Sequence, residues 1–126
     1  WQVPDSPDVM VKAYDTNFLL THGDQFRGGS GIAGALSPLM IGHARKVRRN
    51  MAVDKPFDHL VMGHWHTYWS GKGIIVNGST KGYDEYAALG NFDYEVPKQA
   101  MWITTPEHGI GFTGSVNVQK REEEGW

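Results

Sequence analysis

"HLVMGHWHTYW", residues 59–69, sets two histidines one residue apart directly after a short apolar run and a glycine. The run reads as a short buried strand. If the extended backbone continues past it, side chains alternate faces, so His64 and His66 point one way and Trp65 the other. Gly63 permits a sharp change of direction at the strand end, where layered α/β proteins commonly place ligands. The His-x-His spacing alone leaves two readings open: a pair of ligands, or two polar residues with structural roles.

A second segment has the same form. "FLLTHGD", residues 18–24, is an apolar strand ending in His22, followed by Gly23 and Asp24. It follows the strand-like "VMVKAY" across a "DTN" turn signal, so the two predict a hairpin that delivers His22 at its far end. Between the two histidine segments lies "RGGSGIAG", residues 27–34, too rich in glycine for a stable helix or strand. It lacks the Gly-Lys-Ser/Thr ending of a P-loop and reads as a flexible flank of a site. Ser37 and Pro38 then predict a helix start, with Met40, Ala44, Val47 and Met51 as its buried stripe. Arg45, Lys46, Arg48 and Arg49 crowd the rest of that helix and read as a solvated outer face, the alternative being a patch that meets phosphate or nucleic acid.

Downstream, "YWSGKGIIVNGS" predicts a hairpin turning at Gly-Lys-Gly. "KGYDEYAALGN" predicts a short helical turn closed by Gly90. "AMWITTPEHGIGFTGSVNVQ" predicts a last hairpin with Pro106 and Gly109 in its turn, and residues 120–126 a frayed charged tail.

Composition sets limits. A chain of 126 residues with 40% hydrophobic and 21% charged residues suits one globular domain. Its net charge of -2 and pI near 6.3 leave nucleic-acid binding to a local patch at most. There is no cysteine, which excludes disulfides and thiolate metal sites, leaves histidine, carboxylate and carbonyl ligands, and is compatible with an intracellular setting. No stretch is long and apolar enough to read as a membrane span.

Taken together, an apolar strand ending in His-Gly, a later one ending in Gly-His-x-His, and a hairpin ending in Asn-Gly-Ser resemble the C-terminal half of a calcineurin-like metallophosphoesterase. The resemblance covers about residues 17 to 79. It implies a layered α-β-β-α sandwich to which this chain contributes the C-terminal sheet and a helix. It also implies two divalent metal ions, manganese, iron or zinc, with His22 and His64 on one and His66 on the other. Such a pair polarises a phosphoester and generates the attacking hydroxide. Arg27 and Asn77 become substrate-contact candidates, Asn77 reading first as a turn-shaping residue, and Asp24 either orients a ligand or simply forms the turn. His43, His59 and His108 read as structural or exposed.

The family's Asp-x-His, Gly-Asp-x-x-Asp and Gly-Asn-His motifs have no counterpart in this sequence. With them would go the bridging carboxylate and the histidine that assists the leaving group. The expectation is therefore a single domain over residues 1–126 that is part of a larger phosphoesterase domain. Its substrate would be a phosphodiester or a phosphomonoester, with nucleic acid as one form. It would need an N-terminal half, a partner chain or a second copy of itself, and no membrane; the rival expectation is a degenerate, non-catalytic interaction scaffold.

Overall fold

The computed structural model describes residues 6–26, 36–81 and 95–118. The glycine-rich segment with Arg27, the region around Gly90 and the charged tail lie outside them. Strands β1 (Asp8–Ala13) and β2 (Thr16–Thr21) pair antiparallel across a two-residue turn at Tyr14 and Asp15. Helix α1 (Leu36–Ala52) crosses over to β3 (His59–Met62), which runs parallel to β2. A tight hairpin follows, β4 (Trp69–Gly71) to β5 (Ile74–Val76), with β5 parallel to β3. Its turn residues Lys72 and Gly73 have φ of 47° and 77°, the pair of left-handed conformations that suits the twist of a two-residue hairpin.

The five strands form one sheet in the order β1-β2-β3-β5-β4. Its three central strands are parallel, so the C-terminal ends of β2, β3 and β5 share one edge. On one face, Leu19, Leu60, Met62, Ile74 and Val76 form the core with Phe26 and with Leu39 of α1. On the other, Phe18 stacks on its cross-strand neighbour His59 at 5.5 Å and meets Trp102 at 5.7 Å. Trp102 belongs to a separate antiparallel pair, β6 (Lys98–Thr105) and β7 (Gly109–Asn117), turning through residues 106–108. The far side of this pair carries Met101, Ile103, Phe112 and Val116, all exposed. Among the described residues no helix is long and apolar enough to cross a membrane.

The buried stripe of α1 is not the one the hydrophobic spacing suggests. Leu39, Gly42, Lys46 and Asn50 face inward, Met40 is half-buried against the core, and Met51 is 66% exposed. The reason is an ion pair reaching in from β1. Lys46 Nζ donates to both Asp8 carboxylate oxygens at 2.5 and 2.7 Å, Arg49 also binds that carboxylate, and the Asp8 and Lys46 side chains are only 8% and 6% exposed. Lys46 therefore does not belong to a solvated face. Gly42 serves the same contact surface, because the Phe26 ring occupies the space its Cβ would take.

The helix already includes Leu36, so Ser37 lies inside the first described turn and is not the expected cap. At the other end Asp54 takes a left-handed φ of 54°, and the amides of Asp54 and Lys55 bond to Met51 O and Asn50 O. This is a Schellman closure with aspartate in the usual glycine place, and Pro56 follows it.

Candidate metal-binding site

His22 and His64 are the first residues beyond the ends of β2 and of β3 plus its glycine, so the parallel pairing of these strands brings them to one edge. The Gly63 amide bonds to His22 O at 3.2 Å and carries the pairing one step past the strands. At Gly23, φ is 105°, and a Cβ would stand 2.5 Å from Met62 Cε and 3.1 Å from Gly63 O. Only glycine lets the chain turn away at that point without displacing the second histidine segment. Asp24 then occupies the turn closed by the Phe26 amide on Gly23 O at 3.1 Å.

The two imidazoles meet. His64 Nδ1 lies 3.2 Å from His22 Nε2, with the rings edge-on at 72° and centroids 5.0 Å apart. His22 is exposed and His64 half-buried, so the pair opens to solvent.

The backbone beyond Gly63 departs from the extended form that the strand alternation assumes. His64 and His66 have φ of 69° and 55°, and residues 64–67 form a bend. Strand alternation therefore does not govern where the two imidazoles point. Trp65 packs against the hydrophobic core, as expected, with its Nε1 buried and unpaired among the described residues. A residue distant in sequence secures the bend: the Tyr68 amide donates to both carboxylate oxygens of Glu95, at 2.9 and 3.1 Å. Glu95 is 27 residues away and carries no local signal in the sequence.

Asn77 follows β5 on the same edge. Its amide bonds to Met62 O at 2.7 Å, and its side-chain Oδ1 accepts from the Ala100 amide at 2.6 Å and from Gln99 Nε2 at 3.2 Å. The carbonyl end of this side chain is thus engaged in joining β5 to β6. His43 stands edge-on to Phe57 at 5.9 Å, and His108 is exposed in the last turn.

The donor set suits a divalent cation in part. Two imidazole nitrogens that ligate a tetrahedral zinc at its usual bond lengths stand about 3.3 Å apart, close to the spacing of His22 and His64. His66 does not join them as a third ligand: among the described residues no group of three or more His, Asp or Glu side chains is placed to hold a metal ion.

No family model and no curated protein matches this sequence. Two solved structures do match the fold, both Vps29 of Entamoeba histolytica. A single-substitution mutant has 18% identity and a TM-score of 0.51 over 88% of this chain, and the wild-type protein complexed with zinc has 17% identity and 0.51 over 89%. The chain spans about 60% of the length of these neighbours. The likeness gives the fold: mixed α/β, matching that of these Vps29 structures.

Proposed function

We propose that this chain supplies the histidine side of a divalent-metal site in a phosphoester-hydrolysing protein, and that the acidic ligands come from another segment or chain. The observation that carries the reading is the His22–His64 pair, two imidazole nitrogens 3.2 Å apart at the C-terminal edge of adjacent parallel strands. The backbone supports it. Left-handed φ costs a non-glycine residue about 1 to 2 kcal/mol, yet histidine stands at both such positions of the bend. That the wild-type Vps29 neighbour was solved with zinc adds support for a divalent ion.

In this reading His22 Nε2 and His64 Nδ1 hold the first ion, and His66 belongs to a second. Bound there, such ions would supply charge against the phosphoryl oxygens and lower the pKa of a bound water. Gly23 and the Glu95–Tyr68 bond keep the histidine segments in place, and Trp65 anchors the bend to the core. The chain acts inside the cell, on a phosphodiester or phosphomonoester.

A second reading, an interaction scaffold without turnover, is favoured by the β6–β7 face. Met101, Ile103, Phe112 and Val116 are 42 to 54% exposed, and the pairing of Ile103 with Phe112 places them together on one side. Apolar side chains gathered in this way mark partner-binding surfaces. The readings part in one experiment: metal analysis and hydrolysis of a chromogenic phosphodiester with manganese, for the chain alone and joined to a segment carrying Asp-x-His, Gly-Asp-x-x-Asp and Gly-Asn-His. Hydrolysis only in the joined form, lost in His64→Ala, is the expected result. Metal binding and turnover indifferent to His64→Ala would defeat the site assignment, and metal-free, inactive protein in both forms would leave the scaffold.

A further inference from the structure

A cleft of about 370 Å³ lies along α1, walled by Phe26, Ile41, Gly42, Arg45, Lys46 and Arg49. The helix residues recur at spacings of three and four, so the cleft follows one stripe of the helix and is closed on its other side by the chain leaving His22. Three cations meet there. One carboxylate, Asp8, answers Lys46 and Arg49, and among the described residues no hydrogen bond or ion pair engages Arg45. Among the described residues the cleft is therefore net positive, and the Arg45 guanidinium is exposed.

Its remaining wall, Gln25 apart, is apolar. Ile41 is 53% exposed, and the buried Phe26 ring sits flush on Gly42. An occupant needs an anionic end and a hydrophobic body. Three further facts narrow its class. Arginine's planar fork matches the oxygens of phosphate in pairs, and the cleft has the size of a small-molecule site. A chain of net charge -2 leaves a nucleic-acid backbone no more than this local patch.

We infer that this cleft binds a small organic phosphate, its phosphate on Arg45 and its apolar body against Ile41. The site is separate from the His22–His64 pair and does not depend on a metal there. Asp8 leaves it open: by occupying Lys46 and one face of Arg49 it fixes both side chains, so the binding geometry is preset.

The test is titration of the intact, EDTA-treated protein with phenyl phosphate, inorganic phosphate and a single-stranded oligothymidylate, followed by calorimetry and amide shifts. Phenyl phosphate should bind saturably and several-fold more tightly than inorganic phosphate. Arg45→Ala should weaken it roughly tenfold, the loss of one charge-assisted contact. Ile41→Ser should erase the preference for phenyl phosphate over inorganic phosphate, and His64→Ala should change neither affinity. Arg45 is exposed, so an unchanged far-ultraviolet spectrum in Arg45→Ala excludes unfolding as the cause. No saturable binding, binding indifferent to Arg45→Ala, binding lost with His64→Ala, or tighter binding of the oligothymidylate per phosphate would overturn the assignment.

Discussion

Lys46 of α1 and Asp8 of β1 form a bidentate contact, the ammonium 2.5 and 2.7 Å from the two carboxylate oxygens, with both side chains nearly inaccessible. Removing one partner leaves a buried charge without its counterion, which costs about 3 to 5 kcal/mol. Asp8→Ala should therefore destabilise the protein by an amount of that order in urea unfolding. The double variant Asp8→Ala, Lys46→Met should recover most of the loss, because it buries no charge. If the double variant is no more stable than the single one, the pair is not what fastens β1 to the helix.

The same carboxylate shapes the acid limb. Burial pushes Asp8 up, but its bonds to Lys46 and Arg49 outweigh this and hold it below the ordinary value of 3.8. A folded value below the unfolded one means stability that is present above about pH 4 and is lost as the pH falls through the folded value. Asp8→Asn should flatten this part of the curve, as acid titrations of the two proteins followed by circular dichroism would show.

His43 and His59 act in a higher window. Burial pushes both below the ordinary imidazole value of 6.5, a nearby Asp58 partly opposing this at His59. The unfolded chain then takes up protons that the folded chain refuses. Stability should fall as the pH drops below about 6.5 and level off beneath the folded values. His59→Phe, which keeps a ring against Phe18, should shrink that fall. Urea midpoints measured between pH 5 and 8 would reveal it.

At Gly42 the usual effect of alanine in a helix should reverse. Glycine to alanine ordinarily stabilises a helix interior by about 1 kcal/mol. Here the added methyl meets the Phe26 ring, so Gly42→Ala should lower the thermal midpoint, and adding Phe26→Leu should restore part of it. A rise in the midpoint of Gly42→Ala would mean that the ring moves aside freely.

Glu95 should matter to the metal without touching it. Glu95→Ala removes the acceptor of the Tyr68 amide and frees the bend that carries His64. Zinc affinity by calorimetry should fall roughly tenfold, as it does when a support behind a ligand is removed. Gln at this position keeps one acceptor oxygen and should restore much of the affinity.

Much of the strand framework was legible because local signals agree with it. The turn residues before Thr16, the Gly-Lys-Gly turn at Lys72 and the Pro106 to Gly109 segment each mark a hairpin that forms. That His22 and His64 follow apolar strands was legible, but their meeting was implied only by the family resemblance, because the parallel pairing that joins those strands leaves no local signal. The orientation of α1 was not legible. Hydropathy counts Lys46 as a surface residue, and only a carboxylate 38 positions away makes it an interior one. The bend at His64 and His66 was hidden for a related reason: their left-handed backbone is stabilised by a wedge, Trp65, and by Glu95, neither of which local propensity records.

The left-handed histidines also bear on how this sequence can change over generations. At both positions glycine relieves backbone strain, so a drift toward His64→Gly or His66→Gly would favour the fold while deleting an imidazole. Selection for folding alone runs toward such replacements, and selection for the imidazoles runs against them. Sampling close relatives at these two positions would reveal which pressure prevails, and so whether the lineage still uses the chemistry of this edge.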